Sequence, residues 1–125
     1  MTVVAWVFAV VAGIFHLAAF VMESILFDRP AVQRRFGVDA ASAAGVGPWA
    51  FNQGFYNLAL AAGALVGVIT WAADHETVGR TLIVFSCAAM VLAGIVLLAS
   101  QRRLWQSALG QAVPPAIAIV ATLAT

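Results

Sequence analysis

The chain has 125 residues, 64% hydrophobic and 9% charged, with a mean hydropathy of +1.03. A soluble domain carries about 25% charged residues, so this composition belongs to an integral membrane protein. Six arginines, no lysine and five acids give a net charge of +1, which leaves no basic stripe for nucleic acid, and the single cysteine, Cys87, excludes an internal disulfide.

Four apolar segments of about 20 residues fill the length, so the expectation is a single transmembrane domain over residues 1–125 with no separate soluble part. The first runs from Thr2 to Phe27 and closes at Asp28-Arg29-Pro30, where charges and a helix-breaking proline mark the exit from hydrocarbon. Its apolar start resembles a secretory signal, but a positive n-region and a small-residue cleavage site are missing, so it reads as a retained span. Pro30 to Gly37 suits a short interfacial helix presenting Arg34 and Arg35 to lipid phosphate, and equally a solvated loop. The second span runs from Trp49 to Ala73, after the turn-like Gly45-Val46-Gly47-Pro48 and before the charged loop Asp74-His75-Glu76. Thr81 to Ser100 is the third span. Leu104 to Thr125 is the fourth, and Pro114-Pro115 within it predicts a kink whose freed carbonyls face the bundle.

The fold class is therefore all-α, an integral membrane four-helix bundle. Arg29, Arg34 and Arg35 in the first loop and Arg102 and Arg103 in the third, against Arg80 alone in the second, place loops one and three in the cytoplasm. Both termini then lie on the outer side, and the protein is expected to be a multi-pass protein of the cell inner (plasma) membrane. Trp6, Trp49, Trp71 and Trp105 stand near span ends and suit an interfacial belt.

The polar residues within the spans gather on faces. At 100° per residue His16 and Glu23 fall about 20° apart, with Ala5, Ala9, Ala12 and Ala19 beside them, a small-residue face suited to the bundle interior. Along the helix the pair is about 10.5 Å apart, too far for a direct hydrogen bond. On the second span Trp49, Asn52, Gln53, Tyr56 and Asn57 occupy an arc of about 140°, and Gly63-x-x-x-Gly67 suits close helix packing. On the fourth, Gln111 shares a face with Ser107, Pro114, Pro115, Ala118 and Thr122. Depth lets Glu23, Asn52 and Gln53 meet near one level, with Tyr56, Asn57 and Gln111 about a turn deeper and His16 near mid-membrane.

Glu23-Ser24-Ile25-Leu26-Phe27, Phe36-Gly37, Asn52-Gln53-Gly54-Phe55-Tyr56-Asn57 with Ala61-Ala62-Gly63, and Gln111-Ala112-Val113-Pro114-Pro115-Ala116 resemble the bacterial family of small membrane proteins catalogued as domain of unknown function 1304. The resemblance covers nearly the whole chain. It implies four spans and a polar centre, and brings no activity with it.

An ionisable side chain within a span costs roughly 2.5–3.5 kcal/mol at the helix centre, which makes Glu23 and His16 candidates for function. With Asn52, Gln53, Tyr56, Asn57 and Gln111 they form the candidate ligand-binding set. One buried histidine and one carboxylate do not make a zinc site, no cofactor fingerprint is visible, and neither metal nor cofactor is expected. The favoured reading is binding or transport of a small polar, cationic or amphipathic ligand, with membrane lipid around the bundle and a homodimer completing any translocation route. The first alternative is an accessory or assembly subunit whose polar residues only join helices. The second is a membrane-embedded enzyme using Glu23 or His16 as acid-base on an isoprenoid or other lipid, the less expected case.

Overall fold

Length and hydropathy produce four helices that are each long and apolar enough to cross a membrane. The computed structural model describes residues 1–125 and contains no strand. Helix α1 (Thr2–Phe20) continues through a π-helical turn at Val21–Ile25. A short α2 (Pro30–Arg35) leads to α3 (Ala43–Ala72) and α4 (Glu76–Ser100), and a 3₁₀ turn at Arg102–Leu104 opens α5 (Trp105–Leu123). Each long helix packs on two neighbours in the ring order α1, α3, α4, α5, and the diagonal pairs barely meet. The result is an up-down-up-down four-helix bundle. Met1 and Val4 lie beside Val120 and Ala121, so both termini share one end, called here the terminal end. The opposite, loop end carries α2 and the 3₁₀ turn.

Small residues set the bundle's width. Ala5, Ala9 and Ala12 of α1, Ala61 and Ala64 of α3, and Ala118 and Ala121 of α5 are buried, with Ile83, Cys87 and Met90 of α4 filling between them. Lipid tails are as apolar as these side chains, so helix association here rests on close van der Waals contact rather than on expulsion of water. Its tightest point lies between α3 and α4. A Cβ on Gly79 would stand 2.6 Å from the Gly67 carbonyl oxygen, and one on Gly67 would stand 3.0 Å from the Gly79 oxygen, so backbone meets backbone. Both glycines of Gly63-x-x-x-Gly67 turn toward α4, where Gly63 faces the Ser86 hydroxyl.

The terminal end is closed by aromatic and charged groups. Trp6 and Trp71 meet edge-on with ring centroids 5.9 Å apart, and the Arg80 guanidinium lies 5.5 Å from the Trp71 ring centre. Arg80 also donates through Nη1 to Glu76 and through Nη2 to the Thr122 carbonyl, both at 2.8 Å. The tryptophans therefore divide into two kinds. Trp71 is buried in the core, whereas Trp49 and Trp105 at the loop end are exposed, as an interfacial belt requires.

Two boundaries differ from the sequence expectation, each for a local reason. Gly45 to Pro48 is helical within α3; Pro48 is its sixth residue, and the one carbonyl deprived of a donor is that of Ala44, which is exposed and open to solvent. At 1.5 Å per residue the 30 residues of α3 exceed the roughly 30 Å of hydrocarbon, so a span of this length must tilt or project beyond it. Glu76 and Arg80 belong to α4, where the acid suits the helix N-terminus and pairs with the arginine four residues on. This leaves a turn of three residues, Ala73 to His75, in which Asp74 adopts φ 64°. Asp39, in the loop before α3, accepts the Ser42 N–H at 2.7 Å, and that bond holds its carboxyl below the ordinary value of 3.8.

Candidate functional site

The π-turn at the end of α1 is the local feature that builds the site. Its wider turn is closed by the Leu26 N–H donating to the Val21 carbonyl at 2.9 Å. Such a turn carries one residue more than the α-helix would, so everything beyond Phe20 is rotated relative to a regular helix. Two contacts with α3 fix the rotated segment. The Ser24 hydroxyl donates to the Phe51 carbonyl at 2.8 Å, and it fits only because Gly54 has no Cβ to fill that space. One residue earlier, Asn57 Nδ2 donates to Glu23 Oε2 at 2.7 Å.

The rotation separates two residues that a uniform helical wheel superimposes. His16, before the turn, is fully buried, and its Nδ1 pairs with the Ala12 carbonyl at 2.9 Å. Its Nε2 is buried with no protein partner. Glu23, within the turn, is half-buried and directed to α3.

Beside Glu23 the helices part to leave a cleft of about 370 Å³, a size suited to a small ligand. Glu23, Ser24, Asp28 and Gln33 give it polar groups, Phe27 and Phe51 give it aromatic ones, and Ala43, Ala44 and Gly47 complete it. No basic residue lines it. The chain's one ion pair, Arg80 with Glu76, lies at the terminal end, so neither Glu23 nor Asp28 is neutralised by an arginine. Asn57 occupies one carboxylate oxygen of Glu23 and leaves Oε1 without a protein donor. The arrangement can hold a cation between two carboxylates, with ring faces for an apolar part.

The remaining candidate residues stand apart from this cleft. Asn52, Gln53 and Tyr56 are exposed on the outer side of α3, Tyr56 by 62%. Asn57 alone of that polar arc turns inward. Gln111 is half-buried on α5, and its side chain makes no hydrogen bond within the chain. No three His, Cys, Asp or Glu side chains converge. Sequence reasoning passed over Phe27, Asp28, Gln33 and Phe51 as cleft residues. Asp28 reads as an exit marker and Gln33 as part of a short interfacial helix or a solvated loop; the structure makes it a residue of helix α2, and only the placement of α2 beside the start of α3 brings these residues to Glu23.

The sequence profile of the family described as "Protein of unknown function (DUF1304)" matches residues 10–123. No curated protein and no solved structure matches the chain. The chain belongs to that family.

Proposed function

We propose that this member of the family binds a small amphipathic organic cation at the loop end of its bundle, with Glu23 as the counter-charge. The observation that carries the reading is the Glu23 carboxylate, half-buried, held by Asn57 through Oε2 with no protein donor at Oε1, in the wall of a cleft that contains Asp28 and no basic residue. Phe27 and Phe51 suit the apolar body of such a ligand, and the Gln33 amide suits a polar substituent. With loops one and three in the cytoplasm, as the arginines direct, the cleft opens at the inner face of the cell membrane. Translocation would call for a second copy, since one bundle has its centre filled by alanine, Ile83 and Met90.

A second reading has one observation in its favour. Asn52, Gln53 and Tyr56 project outward from α3 with no partner in their own chain, which suits an assembly subunit that joins another membrane protein through them.

Equilibrium binding of tetraphenylphosphonium to the purified protein in detergent separates the two. The ligand reading expects saturable binding that weakens tenfold or more in Glu23→Gln, about 1.4 kcal/mol, with the unfolding temperature nearly unchanged because glutamine still accepts from Asn57. Binding that is non-saturable, or equal in the variant, would overturn it. Parallel loss of folding and binding would assign Glu23 to helix association instead.

A further inference from the structure

The other flank of the loop end carries the opposite charge. Arg35, closing α2, and Arg103, in the 3₁₀ turn before α5, line a cleft of about 250 Å³ together with Gln106, Ser107, Phe15 and Leu104. No acid lines it, and with the single ion pair at the far end of the bundle both guanidiniums lack a carboxylate partner. Arg103 is nevertheless held in place. Its Nη2 donates to the Gly37 carbonyl at 3.1 Å, and Gly37 stands at φ 69°, where a Cβ would run into the guanidinium. The loop thus gives up a side chain at residue 37 to seat this arginine, and the remaining N–H groups of Arg103 stay free.

We infer that this cleft is a binding site for the phosphodiester headgroup of an anionic phospholipid. Two guanidinium forks match the oxygens of a phosphate, and the Ser107 hydroxyl and Gln106 amide add donors beside them. Basic pockets between spanning helices at one membrane face are suited to such headgroups. The apolar members decide between a lipid and a free phosphate. Phe15 reaches the cleft from α1 with its ring against Gly110 in the second turn of α5, and Leu104 stands beside Arg103, so an apolar wall adjoins the arginines where an acyl chain can lie. Inorganic phosphate would leave that wall unused. The sequence set Arg35 beside Arg34, whereas the fold pairs it with Arg103 across the bundle end. This site is separate from the Glu23 cleft, and either can fail without the other.

Native mass spectrometry of the full chain with dioleoylphosphatidylglycerol or dioleoylphosphatidylcholine tests the assignment. The expected result is one retained phosphatidylglycerol per chain, with a preference of about tenfold over phosphatidylcholine. The Arg35→Gln/Arg103→Gln variant should lose most of that preference, and Arg34→Gln/Arg102→Gln, which removes the same charge outside the cleft, should keep it. Ser107→Asp gives a second arm that preserves the Arg103 tether. It places a carboxylate in the cleft at a first-turn position that helices tolerate, and should expel the lipid while the chain remains folded. Equal losses in the two arginine pairs would mean diffuse attraction and overturn the site. So would equal retention of the two lipids, retention by Ser107→Asp, or displacement of phosphatidylglycerol by millimolar inorganic phosphate.

Discussion

The two ends of the bundle are built on different principles. At the terminal end, Gly67 and Gly79 bring α3 and α4 to backbone contact, Trp6 meets Trp71, and Arg80 spends its donors on Glu76 and the Thr122 carbonyl. Arg80 and Glu76 are paired there, and the cleft between the two termini is lined by apolar side chains alone. At the loop end the helices part into two clefts, one containing Glu23 and Asp28, the other Arg35 and Arg103, and acid and base line separate cavities. Opposite charges placed at the same end without pairing are available to outside partners, whereas Arg80 and Glu76 at the terminal end serve the fold. The division suggests where substitutions should cost stability and where they should cost binding.

The largest expected effect comes from the terminal end. Gly79→Leu drives a branched side chain into the α3 backbone and should cost on the order of 3 kcal/mol, the upper part of the overpacking range, with loss of a monodisperse peak in detergent chromatography. A well-behaved Gly79→Leu protein would break the comparison, since the closed end would then not depend on close packing. Asn57→Leu should cost about 1–3 kcal/mol in thermal unfolding, because it removes the one donor to Glu23 Oε2. It should also weaken tetraphenylphosphonium binding, which sharpens the contrast, since no terminal-end variant of equal cost should do so. Arg80→Ala should have the smallest effect, about 1 kcal/mol, because its ion pair with Glu76 is largely exposed and only the Thr122 bond and the contact with the Trp71 ring carry weight. Its ligand binding, measured the same way, should match the wild type.

Composition and loop arginines made the four-helix architecture legible, because bilayer thickness leaves few ways to divide 125 apolar-rich residues. Glu23 was legible as an expensive residue within a span, and Asn57 as a polar neighbour at similar depth. Their pairing was not, because a wheel drawn at 100° per residue assumes regular helix through Val21–Ile25. On α3, a regular helix, the wheel holds, and Asn52, Gln53 and Tyr56 were grouped with Asn57 only because a face of 140° is wider than one helix can bury against a single neighbour. The basic cleft was hidden for another reason. Arg35 and Arg103 are distant in sequence, and nothing local in either loop reports that Gly37 and Arg103 will meet.

The π-turn has a consequence for how this site tolerates change. One surplus residue acts as a phase shift: it leaves the helix upstream in step with the alanine core and turns the segment downstream by about a residue's worth of rotation, roughly 100°. The bundle and the cleft thereby follow two separate clocks on a single helix. Side chains on either side of Phe20 can drift in sequence without upsetting the other half, and the one alteration both halves would feel is a change in the count of residues between them.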